Sequence, residues 1–265
     1  MSTFCLLLDV GNTGIKLALS NENGLGSVFE LPTDLRETPD SLGVKIREYL
    51  RLEQVQGKDI RYWLISSVVP GLNPKLAKAG QKFCQAEVYF VPEDLFVGIN
   101  NQYQAPHEVG ADRLVNAYAA RTLYKNPGLV IVDFGTATTF DCIQENNYIG
   151  GLICPGVYTS MKALSSQTAK LPWFSLDNAG PGLEIGRNTV QSLAQGTLFG
   201  FASMVEGLIA RLKEHMPPDT LVVATGGASL NLSPVCHCID DLQPTLLLQG
   251  LRYVGIKHAI LKPKE

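Results

Sequence analysis

The chain has 265 residues, 45% of them hydrophobic, with 25 glycines and a formal net charge of −3. That length suits one large domain or two smaller ones with a sizeable core, and the glycines announce many tight turns. The slight acidity and scattered basic residues exclude a global case for nucleic acid, and six cysteines without scaffold spacing exclude a disulfide framework.

The N-terminus lacks a basic n-region, and Asp9 interrupts its apolar run, so no signal peptide is expected. No unbroken apolar run of spanning length follows either, so no membrane partner is expected and the setting reads as soluble, reducing and cytoplasmic. Residues 4–8 form an apolar run into Asp9, Val10, Gly11, Asn12 and Thr13, and the pattern restarts at Ile15: a buried strand, a tight turn and a returning strand. Residues 28–31 complete a meander. Leu42, Ile46, Tyr49 and Leu50 predict a helix over 39–52, with Asp40 and Ser41 as candidate caps. A strand over 62–69, a helix over 73–83 and a strand over 86–91 follow. Residues 92–109 make a polar loop longer than most connectors, a length often tied to function. A helix over 112–123 runs to Asn126-Pro127-Gly128, which divides the chain into domains 1–124 and 125–265.

The second half repeats the grammar. Strands over 129–134, 138–143 and 148–154 form another meander, with a helix over 157–166 introduced by Pro155-Gly156. Residues 168–188 read as a folded loop, and 189–213 as a long helix whose Gly196 and Gly200 suit close packing. A strand over 221–225 ends in Gly226-Gly227, and a helix over 246–260 with a basic end at Lys257 to Lys264 closes the chain. A duplicated meander-plus-helices unit is the structural expectation. Cys236-His237-Cys238 is the only metal-like pattern, but neighbours on a strand point opposite ways and no second cluster completes a zinc site.

Two strands end in Asp-x-Gly-x-Thr: Asp9 to Thr13, and Asp133, Phe134, Gly135, Thr136 and Ala137, followed by Thr138 and Thr139. Gly11 and Gly135 let backbone approach a ligand, and the hydroxyls add donors beside exposed N–H groups, a composition suited to phosphate oxygens. Asp9 and Asp133 would repel bare phosphate, so they suit a cation or its water shell. The pair points to two halves serving one polyanionic ligand. No P-loop lysine motif and no GxGxxG follows any strand. Thr225-Gly226-Gly227-Ala228 is a weaker third glycine-rich strand end, as readily a plain helix-entry turn. In Val109-Gly110-Ala111-Asp112-Arg113 an acid and a base open a helix after the polar loop. Asp112 is a candidate proton acceptor and Arg113 a candidate anion holder; a dipole-stabilised Asp and a surface Arg are the plainer reading. Lys16 reads equally as a phosphate-facing amine or a solvated strand lysine.

The chain resembles the type III pantothenate kinases of the acetate and sugar kinase/Hsp70/actin superfamily. The likeness lies in the order and spacing of Asp9 to Thr13, Gly110 to Arg113, Asp133 to Thr139, Gly150 to Gly156, Thr168 to Pro172, Gly186 to Thr189 and Thr225 to Ala228. It implies an α/β fold of duplicated ribonuclease H-like, actin-like ATPase domains with mixed sheets flanked by helices. It also implies ATP-dependent phosphorylation of pantothenate in a homodimer, with Mg²⁺ and a monovalent cation, K⁺ or NH₄⁺. On this likeness Asp112 is the base. Asp9, Val10, Gly11, Asn12, Thr13, Gly14, Ile15, Lys16 and Thr136 meet ATP. Tyr103, Gly110, Ala111, Asp112, Arg113 and Thr189 meet pantothenate. Asp133 ligates the monovalent cation, and Asp9 serves Mg²⁺ through water. The family often carries Asn-Pro before the Glu-Val-Gly-Ala-Asp-Arg segment; here Ala105-Pro106-His107 keeps the proline, so the loop should keep its path. Relatives have been described as transcription accessory factors, but the charge pattern gives no support for direct DNA binding. A kinase or phosphatase for another small molecule, and a regulator that only binds ligand, are the competing readings.

Overall fold

The computed structural model describes residues 4–168 and 170–262; Ala169, within the Thr168 to Pro172 motif, and Lys264, at the basic C-terminal end, lie outside the described residues. In the first half the elements are β1 (Phe4–Val10), β2 (Gly14–Asn21), β3 (Gly24–Pro32), α1 (Pro39–Leu52), β4 (Ile60–Ser67), α2 (Asn73–Cys84), β5 (Glu87–Val91), β6 (Asn100–Asn101) and α3 (Ala111–Leu123). In the second they are β7 (Gly128–Phe134), β8 (Ala137–Gln144), β9 (Asn147–Pro155), α4 (Val157–Gln167), α5 (Thr189–Lys213), β10 (Leu221–Thr225), α6 (Ser229–Leu232), β11 (Asp241–Leu242) and α7 (Leu246–Lys257).

Two compact units result. One comprises Met1–Ile99, Ala105–Thr122 and Leu246–Glu265; the other comprises Asn100–Gln104 and Leu123–Thr245. The first holds a sheet in the order β3-β2-β1-β4-β5, the second a sheet in the order β11-β10-β7-β8-β9-β6. In each, three consecutive strands pair antiparallel and the next two join parallel to the first of them. The short β6 adds a parallel edge to β9, a pairing the sequence did not announce.

Within the first unit, Leu6, Leu8 and Val10 alternate onto one face with Trp63 and Ile65, under Leu42 and Ile46 of α1 and Leu76 of α2. Each such large side chain contributes roughly 1.5–3 kcal/mol on burial. Helix α1 begins at Thr38, whose hydroxyl accepts from Ser41 N, with Pro39 in its first turn. Tyr49 ties α1 to the meander: its hydroxyl accepts from Leu19 N at 3.0 Å and donates to Ser27 O at 3.1 Å.

The compact units group the chain differently from the division at 124 and 125. Helix α7 lies on β1 and β4 of the first sheet, and a Cβ at Gly250 would sit 2.6 Å from Val115 O of α3. Backbone approach this close needs glycine, so the final helix completes the first unit's second layer. The second unit's core gathers Val130, Val132, Phe134 and Phe140 from the sheet with Ala194, Leu198, Val205 and Ile209 from α5. By length and mean hydropathy of 1.3, α5 could cross a membrane. A search for unbroken apolar runs misses this because Gln195, Gly196, Thr197 and Ser203 interrupt the helix; its buried face packs in the core.

Candidate active site

In the first unit the candidate residues Asp9 and Lys16 stand at the strand ends. Asp9, next to last on β1, is in register with Lys16 on β2 and Ser66 on β4, and Lys16 with Glu30 on β3. Register partners share a face, so these four make one polar row along the sheet's end. The turn itself is fastened: Gly11 N donates to Gly14 O at 3.0 Å, Thr33 N to Thr13 O at 3.1 Å, and Thr33 Oγ1 to Gly11 O at 2.6 Å. Asn12 and Thr13 stand exposed at its apex, whereas Val10 and Ile15 are buried in the core. Those two therefore bring only backbone to any ligand.

Beside this turn, β4's chain continues along β1, with Val68 N donating to Val10 O at 3.0 Å. A Cβ at Gly110 would sit 3.6 Å from Val68 Cγ1 and would collide with Asp112 Oδ1. Gly110 thus leaves room for the Asp112 carboxylate at the start of α3, where Ala111 is buried. Asp112 Oδ1 accepts from Arg113 N at 2.8 Å. Burial raises the Asp112 pKa above the ordinary carboxylate value, and the Arg113 N–H and charge oppose the rise only in part. A partly desolvated carboxylate with raised pKa at a helix start has the character of a proton acceptor. Arg113 is 8% exposed, so the plainer reading of a surface arginine fails; its side chain is packed inside the protein.

In the second unit Asp133, next to last on β7, is in register with Thr139 on β8 and Thr225 on β10. Gly226, at φ +90°, brings its backbone against this carboxylate: a Cβ there would collide with Asp133 Oδ1 and lie 2.6 Å from Phe134 N. Gly156, before α4, is held likewise, a Cβ there falling 2.6 Å from Gly135 O and colliding with Thr136 O. Thr159 Oγ1 donates to that same Thr136 O at 2.7 Å. The glycine-rich turn at 225–228, ambiguous in the sequence, therefore packs its backbone against the Asp133 turn. Sequence reasoning gave no role to Asp141: fully buried, it accepts from Tyr148 OH at 2.9 Å and Thr139 Oγ1 at 3.1 Å. The only signal was an acid in a strand otherwise apolar around it.

Tyr103 also lies in the second unit, its ring centroid 6.4 Å from that of Tyr148. Its N–H donates to Asn101 Oδ1 at 3.0 Å, and Gly150, at φ +127°, passes beneath the ring. Thr189 is exposed at the first turn of α5, after Asn188, whose side chain accepts from Gln191 N at 2.9 Å. The structure thus gathers Asp9, Lys16, Gly110 and Asp112 in one unit and Tyr103, Asp133, Thr136 and Thr189 in the other.

Among the described residues no group of three or more His, Cys, Asp or Glu could hold a metal. Asp133 has instead one carboxylate beside closely approaching backbone. Carboxylate and carbonyl oxygens are hard donors, which fit a monovalent cation or Mg²⁺ completed by water and phosphate rather than a soft metal.

A family model described as type III pantothenate kinase matches residues 5–211. The chain is 48% identical over 259 residues to a type III pantothenate kinase of Nitratidesulfovibrio vulgaris, covering 97% of this chain and 99% of that one. It is 38% identical to one from Bacillus cytotoxicus over 260 residues, covering 98% of each. Among solved structures, a putative 2-dehydro-3-deoxygalactonokinase from Sinorhizobium meliloti superposes with TM-score 0.62 at 11% identity, covering 98% of each chain. A putative Baf family transcriptional activator from Campylobacter jejuni gives 0.56 at 20% identity, covering 97% of this chain and 100% of that one. These superpositions show a shared fold.

Proposed function

The chain belongs to the type III pantothenate kinase family and is a phosphotransferase, and from that premise we propose that it transfers the γ-phosphoryl group of ATP to the primary hydroxyl of pantothenate. The product, 4'-phosphopantothenate, opens the route to coenzyme A. The observation that carries the reading is Asp112, a carboxylate with burial-raised pKa at a helix start, given room by the missing Cβ of Gly110. In the proposed mechanism Asp112 orients the acceptor hydroxyl and takes its proton during in-line attack. Arg113 meets the pantothenate carboxylate, and Tyr103, Gly110, Ala111 and Thr189 shape the acceptor site. The turn from Asp9 to Lys16 and Thr136 bind ATP. Asp9 holds the water shell of Mg²⁺ and Asp133 the monovalent cation, K⁺ or NH₄⁺. Bound cations supply charge neutralisation at the phosphates.

The matching order and direction of strands in the two sheets supports duplicated ribonuclease H-like lobes. A second copy of the chain is the proposed partner. An exposed groove of about 370 Å³ along α4 and α5, lined by Leu164, Gly196, Gly200, Phe201 and Met204, supports this.

The deciding experiment follows phosphate transfer from ATP to pantothenate with and without potassium, beside a panel of other alcohols. Potassium-dependent transfer to pantothenate is expected. Transfer to another alcohol, with none to pantothenate, would overturn the acceptor.

A further inference from the structure

Outside this site, the second unit holds two thiols in contact. Residues 236–238 follow the 3₁₀ turn Ser233–Val235 and are themselves a turn, not the strand assumed from the sequence. On a strand the two side chains would share a face but stand roughly 6.6 Å apart along it; the turn brings Cys236 Sγ to 3.5 Å from Cys238 Sγ. The geometry is braced on both sides: His237 N donates to Glu206 Oε1 at 2.8 Å, and Cys236 Sγ lies 3.9 Å from Ala202 O of α5. Cys236 is buried and Cys238 half-buried against the same core, so Cys238 is the less enclosed of the two.

We propose that Cys236 and Cys238 form a redox dithiol, a site of thiol–disulfide exchange that takes a low-molecular-weight disulfide as reaction partner and closes to an intramolecular disulfide. The Cys238 thiolate attacks one sulfur of the reagent, whose S–S bond breaks and releases one thiolate. Cys236 then gives up its proton and attacks the Cys238 sulfur, expelling the second thiolate. The pair loses two electrons and two protons, and the reagent becomes two thiols. The roles follow from burial, because Cys238 is the less buried thiol and Cys236 already lies within reach of it. Electrostatics agree. The contact with the Cys236 sulfur holds the Cys238 pKa below the ordinary thiol value with help from Lys213, while burial and Glu206 oppose it. Cys236, buried and next to the Cys238 sulfur, is pushed up and keeps its proton until needed. Two thiols alone do not make a zinc site, whereas two sulfurs in contact can close to a disulfide by exchange.

The test uses the full chain with oxidised glutathione, followed by alkylation, intact mass and peptide mapping. Wild type should lose two hydrogens and two alkylatable thiols, with the link mapped between 236 and 238 and no adduct retained. Cys236→Ser should trap the glutathione adduct on Cys238, and Cys238→Ser should leave Cys236 unmodified. Because Cys236 is buried, the wild-type map stands as a measurement that needs no variant. Wild type that keeps both thiols, or holds an unresolved adduct on Cys238, overturns the proposal.

Discussion

The proposed mechanism concentrates the proton transfer in one carboxylate, Asp112, and two expectations attach to it. Asp112→Asn keeps the shape and loses the base, so kcat should fall by about 10²–10⁴-fold while ATP binding, read by calorimetry, is retained. Wild-type turnover in the variant would remove Asp112 from the role. The raised pKa also has a consequence for stability. The folded protein binds the Asp112 proton more tightly than the unfolded chain, so its contribution is full below the ordinary value of 3.8 and is lost as pH rises through the folded pKa. Urea melts at a series of pH values should show Asp112→Asn gaining on wild type across that window, with the gain absent below it. Gly226 gives a prediction for the other unit. Gly226→Ala would set a methyl against Asp133 Oδ1 at a φ of +90°, costing of order 1–3 kcal/mol. The proposed cation site should suffer most, raising the potassium concentration needed for half-maximal activity. An unchanged potassium response would detach Gly226 from that site.

At the scale of elements, the sequence was most legible where a segment carries its own signals. Helix α1 has Pro39 in its first turn and apolar residues at helical spacing, and its expected span agrees with the structure. The thirteen-residue α3 and long α5 were equally plain. The two-residue strands β6 and β11 were not, because neither has room for a periodic pattern and both exist through pairing with longer strands. Helix α7 is a different case: its helical character was readable, its partner was not. Leu251, fully buried in α7, should reveal that partner. Leu251→Ala is expected to cost about 2–5 kcal/mol, and hydrogen exchange should show loosened protection in β1 and β4. Loss of protection confined to β7 and β10 would place α7 with the wrong unit.

For the whole molecule, a chain that leaves one compact unit at Ile99, lends Asn100–Gln104 to the other and returns at Ala105 has two units that are not consecutive in sequence. The loop over 92–109, singled out for its length, is where this exchange occurs, and it sets Tyr103 with β9 while Asp112 stays in the unit that holds β1 and β4. The proposed dimer belongs to this scale as well. Leu164 is 38% exposed on the groove of α4 and α5, so Leu164→Glu should leave the fold intact and weaken self-association at least about tenfold in sedimentation. A dimer of undiminished affinity would move the interface elsewhere.

The sequence by itself determined the strand-and-turn units around Asp9 and Asp133, the helix opened by Asp112, and the order of motifs that marks the family. Each is a local pattern, written in periodicity, glycine and turn chemistry over neighbouring residues. Only the tertiary structure decided that Gly226 and Gly156 press their backbones on the Asp133 turn, that Arg113 is buried, that α7 completes the first unit, and that Cys236 and Cys238 touch. These depend on contacts between residues far apart in the chain, or on a turn whose path the residues alone leave open. No local pattern encodes which distant backbone will need the space a missing Cβ provides.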